Sequence, residues 1–104
     1  MGKCRVTFNI TSDVKCDSVF LVGNIKELGD WNVEKALEAK YDEKSNSYKL
    51  VKQLEAGTEV AFKICSANSW DNVEKGEWSS EIENHTFVAA KGLVVKAHVK
   101  YFNK

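Results

Sequence analysis

Val19-Phe20-Leu21-Val22-Gly23-Asn24-Ile25-Lys26-Glu27-Leu28-Gly29-Asp30-Trp31-Asn32 opens as a strand and ends as a loop with an aromatic tip. Four apolar residues in a row, β-branched or aromatic at Val19, Phe20 and Val22, read as a strand covered on both faces. Gly23-Asn24 ends it, because both residue types tolerate the left-handed backbone of a turn. Leu28 then supplies an apolar anchor and Gly29 a second bend. Trp31 follows in a polar setting between Asp30 and Asn32. An indole there suits a flat ligand; its other use is as a lid folded back over the core.

The same punctuation recurs on either side. Proline is absent, and short β-rich runs are separated by turn signals such as Thr11-Ser12-Asp13, Asp42–Ser47 and Glu55-Ala56-Gly57. In Lys3–Ile10, Cys4, Val6, Phe8 and Ile10 point one way and Lys3, Arg5, Thr7 and Asn9 the other. Tyr48–Leu54 places Tyr48, Leu50 and Lys52 on one face. Val60, Phe62 and Ile64 alternate inward, which leaves Ala61, Lys63 and Cys65 on the opposite side. His85–Val88 and Gly92–Phe102 read as the closing strands, with Leu93, Val95, Ala97, Val99 and Tyr101 facing the core. Such spacing predicts an all-β, antiparallel, immunoglobulin-like β-sandwich of seven or eight strands. Only Val33–Tyr41 is ambiguous: it is rich in helix formers but has no pattern for a long helix.

At 104 residues the chain is expected to be one domain, 1–104. Fifteen basic and fifteen acidic residues cancel, so neither nucleic acid nor an anionic membrane is expected as a partner. Cys4, Cys16 and Cys65 cannot all pair and form no CxxC, so no metal is expected. The odd count favours a reducing compartment or a fragment of a longer chain. No apolar run reaches membrane-spanning length. GxSxG, HExxH and a Gly-rich phosphate loop are all absent, and no catalytic residue or cofactor is expected. Ser66–Glu83 holds Trp70, Trp78 and little periodicity, and long aromatic loops on a rigid sandwich are where binding sits. A sugar ring offers a flat face of C–H groups and a rim of hydroxyls. Indoles take the face, and amides and ammonium groups take the rim.

The run VFLVGNIKELGDW, followed by Asn32, Lys35, Ala36 and Leu37, resembles the family 20 carbohydrate-binding modules, the starch-binding domains. Glu55-Ala56-Gly57-Thr58 leading to Val60-Ala61-Phe62-Lys63 is similar to that family's turn into its Phe-Lys strand. Asn84-His85-Thr86-Phe87, then a Gly and an alternating strand, is similar to how several members end. The likeness runs from Val6 to Phe102. It implies an irregular approach over Val33–Tyr41, with Leu37 and Tyr41 pointing inward. It also implies a site of two tryptophans with a lysine and an asparagine. Trp31 matches the first tryptophan, Lys63 the lysine and Asn84 the asparagine. For the second tryptophan, Trp78 is favoured at six positions before Asn84, though Ser79 follows where an acid is usual. Trp70, followed by Asp71, is the alternative at fourteen positions, and both could line the site. A second family site, built on a tyrosine before the Tyr48 strand, is not expected, because Tyr41 and Asn46 do not fall where that tyrosine would.

The implied function is a non-catalytic, monomeric module that holds α-1,4-glucan as polysaccharide, maltooligosaccharide or cyclodextrin for an attached amylolytic or glycogen-handling domain. A protein-interaction or spacer sandwich is the competing reading, and a small stand-alone enzyme a third.

Overall fold

The computed structural model describes residues 2–76 and 81–103. Its nine strands are β1 (Lys3–Ser12), β2 (Ser18–Gly23), β3 (Leu37–Asp42), β4 (Ser47–Glu55), β5 (Glu59–Cys65), β6 (Glu74–Lys75), β7 (His85–Val88), β8 (Val94–Val99) and β9 (Tyr101–Phe102). Seven of them form one sheet in the order β7-β5-β2-β3-β4-β1-β8, and β6 pairs with β9 beside it. All of these ladders are antiparallel except β1 with β8, which run parallel.

The sheet folds over on itself. β1 and β5 are separated by three strands in the sheet order, yet the Phe8 and Phe62 rings meet edge to face at 5.5 Å. Phe87 of β7 closes the triangle at 5.5 Å from Phe8 and 6.0 Å from Phe62. Only a curled sheet brings those strands face to face, which is the expected sandwich. Each edge-to-face pair adds about 0.5–1.5 kcal/mol beyond its burial. Cys4, Val6, Phe8 and Ile10 are all buried, as the alternation of β1 requires.

β2 is covered on both faces for a reason the sequence did not name. Val19 and Leu21 join the main core, whereas Val22 packs into a second, smaller cluster with Cys65 and Val73. Phe20, Val33 and Ala36 close over that cluster. Cys65 is therefore buried, although it lies on the outward parity of β5 with Lys63. This small core is the floor beneath the two tryptophan loops.

Three local expectations change. Gly23 is not left-handed; a Cβ there would lie 2.6 Å from the Ala61 carbonyl oxygen, so close approach to β5 is what demands glycine. Asn24 completes that junction, its Oδ1 accepting from Ala61 N at 2.9 Å. Tyr41 is 44% exposed rather than inward. Ala39 takes the core position of β3, and the strand then runs past the core edge, where the Tyr41 ring lies against Tyr48 and its hydroxyl bonds to Asn46. Tyr101 is exposed because the β8 ladder stops at Val99 and the chain leaves to pair with β6, opposite Lys75.

Candidate binding site

Trp31 is held out by its backbone. The turn Lys26–Leu28 is anchored by fully buried Leu28, and three consecutive residues follow with positive φ: Gly29 at 84°, Asp30 at 54° and Trp31 at 61°. Glycine adopts this region freely, but a side chain there costs about 1–2 kcal/mol. Hydrogen bonds fix it: Trp31 N donates to Gly23 O at 2.7 Å and Asp30 N to Ile25 O at 3.0 Å. Asn32 then caps the short turn Val33–Lys35, accepting from Glu34 N at 3.1 Å. The ambiguous helix formers after Trp31 thus yield one capped turn and then β3.

Trp70 arrives from the other side. Ser69 caps the turn Trp70–Asn72 by accepting from Asp71 N at 3.2 Å. Val73 bridges to Cys65 and sinks into the smaller core. Asn68 ties this loop to the first, its Nδ2 donating to Val33 O at 3.3 Å and Ala36 O at 3.5 Å. The two indoles end with centroids 6.4 Å apart and planes inclined at 36°. They remain 37% and 41% exposed. Two tilted plates open to solvent form a platform and not a core contact.

Trp31, Lys63, Trp70 and Asn84 line one shallow cleft of about 590 Å³ together with Val73, Lys75 and Glu81. Four of the expected site residues thus converge. Trp78 lies outside the described residues. Lys63, half-buried on β5, donates to Ile82 O at 3.2 Å. Lys75 pairs with Glu81, and that hydrogen bond holds the Glu81 carboxyl below the usual carboxylate range. Lys75 and Glu81 were not expected; the only sequence signal was the brief alternation of Val73, Glu74 and Lys75 within an otherwise aperiodic loop. Chemically the cleft offers two aromatic faces, two ammonium groups, a carboxylate and an amide.

The model of the starch binding domain family matches residues 3–98. The chain belongs to the starch-binding domains. Members of this family are carbohydrate-binding modules of amylolytic enzymes and are not themselves catalysts. An amylopullulanase of Thermoanaerobacter thermohydrosulfuricus is 37% identical over 82 residues, covering 77% of the domain and 5% of that enzyme. One from Thermoanaerobacterium thermosulfurigenes is 32% identical over 82 residues, covering 78% and 4%. The chain therefore spans about a twentieth of these relatives. In fold the domain is similar to the family 20 module of the maltotetraose-forming amylase of Pseudomonas saccharophila STB07, with a TM-score of 0.64, 22% identity, and coverage of 90% of this chain and 98% of that one. It is also similar to Hormoconis resinae glucoamylase, with a TM-score of 0.71, 20% identity, and coverage of 95% and 18%.

Proposed function

We propose that the cleft between Trp31 and Trp70 holds α-1,4-glucan chains of starch or glycogen. The observation that carries this is the tilted pair of exposed indoles with Lys63 and Asn84 at its border. A curved α-glucan presents successive sugar faces at an angle, and two plates inclined at 36° suit that better than one flat surface. Indoles satisfy the C–H faces, while Lys63, Lys75, Glu81 and Asn84 are placed to meet hydroxyls. The indole pairing favours Trp70 as the second platform. Residues 1–104 act as a single binding module on this reading, and the small share of the amylopullulanases that it matches supports an attached catalytic domain.

An open cleft with a few wet hydrogen bonds should give a Kd roughly between 1 μM and 1 mM. Titration with β-cyclodextrin, followed by tryptophan fluorescence, tests this; no change at millimolar ligand would count against it. Trp70→Ala and Trp78→Ala, run side by side, decide the second platform: the first should lose binding and the second should keep most of it.

A further inference from the structure

Glu74 is a carboxylate with only 6% of its surface exposed. Burying a carboxylate is costly unless it is partnered, and an apolar residue at this position would cover the same ground without that penalty. Its partner is His85, whose Nε2 lies 2.7 Å from Glu74 Oε1. The His85 ring stacks on Phe62 with centroids 5.1 Å apart and planes at 27°, and the two residues are register partners across β5 and β7. The imidazole is thus fixed in plane by the core and in direction by Glu74. β6, which carries Glu74, is not part of the seven-stranded sheet; the Glu74–His85 bond ties it to that sheet's edge.

The residue before His85 is Asn84, at the rim of the glucan cleft. Among the described residues no side chain hydrogen-bonds the Asn84 amide. Among those residues its direction is set by how the segment 81–85 is held. Among the described residues, and besides the β5–β7 ladder that holds the His85 backbone opposite Phe62, side chains tie that segment at three points: Glu81 by Lys75, the Ile82 carbonyl by Lys63, and His85 by Glu74. The first joins an exposed glutamate and the second ends on a flexible lysine. Only the third is enclosed and braced by a ring stack.

We propose that Glu74 is a positioning residue for glucan recognition: through His85 it aims the Asn84 amide into the cleft without touching the ligand. The proposal rests on the glucan-binding reading for its consequence but not for its geometry. Its mechanism is the restriction of one rim group before ligand arrives, so that less order has to be imposed on binding.

A double-mutant cycle with β-cyclodextrin as the probe tests it. Glu74→Ala should weaken binding about two- to tenfold, the scale of one hydrogen bond. In an Asn84→Ala background the same change should cost less than about 1.5-fold, because the group it aims is gone. In a Trp31→Ala background it should keep its full effect. Glu74→Gln, which retains an acceptor for His85, should stay within about twofold of the natural protein. Without ligand, the Asn84 side-chain amide should lose order in Glu74→Ala by ¹⁵N relaxation while the Trp31 indole N–H does not. If Glu74→Ala does not fold, His85→Phe keeps the stack on Phe62, removes the hydrogen bond and is carried through the same measurements. Equal losses with and without Asn84, a Gln variant as weak as the Ala variant, or an Asn84 amide that stays ordered would each overturn the proposal. If the natural protein binds no cyclodextrin yet Asn84 loses order in Glu74→Ala, the positioning role stands and the glucan reading falls.

Discussion

Trp31 combines an exposed ring with a backbone angle that L-residues avoid, and the two facts predict different outcomes for two substitutions. Trp31→Ala removes a stacking face, at about 1–3 kcal/mol of binding by the scale for aromatic stacking, and leaves a Cβ at φ 61°. Trp31→Gly removes the same face and also the Cβ, so it should be more stable than Trp31→Ala by roughly 1 kcal/mol. Thermal melts of the two variants beside one cyclodextrin titration check this: equal loss of binding, unequal melting temperature. Cys65 gives a second residue-scale expectation. Burial pushes its thiol from 9.0 up to about 11, against an opposing pull from Lys63. Between those values the unfolded chain has released a proton that the folded chain still holds, so stability falls as pH rises from about 9 to about 11. A Cys65→Ser variant should show a flatter decline over that interval in urea melts taken at successive pH values.

At the scale of elements, the two tryptophan loops behave as a unit because Asn68 joins them. Asn68→Ala removes donors to Val33 O and Ala36 O and should cost about 0.5–1.5 kcal/mol, expressed in glucan affinity more than in unfolding. Calorimetric titration against a urea midpoint separates the two readouts. The same loops show where sequence reading stopped. β1 was legible residue by residue, since an alternating strand with one wet face announces its own orientation. The apolar run of β2 was legible as doubly covered, but its second cover comes from Val33, Ala36 and Val73, distant in sequence and irregular in structure. The same distance hid Lys75 and Glu81. That Trp31, Lys63 and Asn84 meet at one cleft was legible because family motifs carry them. Trp70 was legible only as the alternative partner for Trp31, because its placement depends on a cap at Ser69 and a tie from Asn68, neither of which has a periodic signature. Tyr101, read from alternation, and Tyr41, placed inward by the family likeness, both lie where the ladder or the core beneath it gives out, and there an inward position is lost.

For the whole molecule, the Phe8–Phe62–Phe87 triangle is what joins the two halves of the curled sheet. Phe8→Ala should cost about 3–5 kcal/mol, a large part of the roughly 5–15 kcal/mol that holds a domain of this kind together. Chemical denaturation should show that loss, whereas Trp70→Ala, at the surface, should sit close to the natural protein. The parallel pairing of β1 with β8 bears on how the domain is made. Thr7 through Ser12 find their register with Val94 through Val99, more than eighty positions away in the chain. Such distant pairings slow folding, because a long loop must close before any contact rewards it. During synthesis, at about 5–20 residues per second, β1 would wait roughly 4 to 17 s for that neighbour to be made. Throughout that interval one edge of a strand lined with Val6, Phe8 and Ile10 stays open to any passing chain. The nascent domain is thus most exposed to mispairing at its earliest strand, and slowing translation between β1 and β8 would lengthen the hazard.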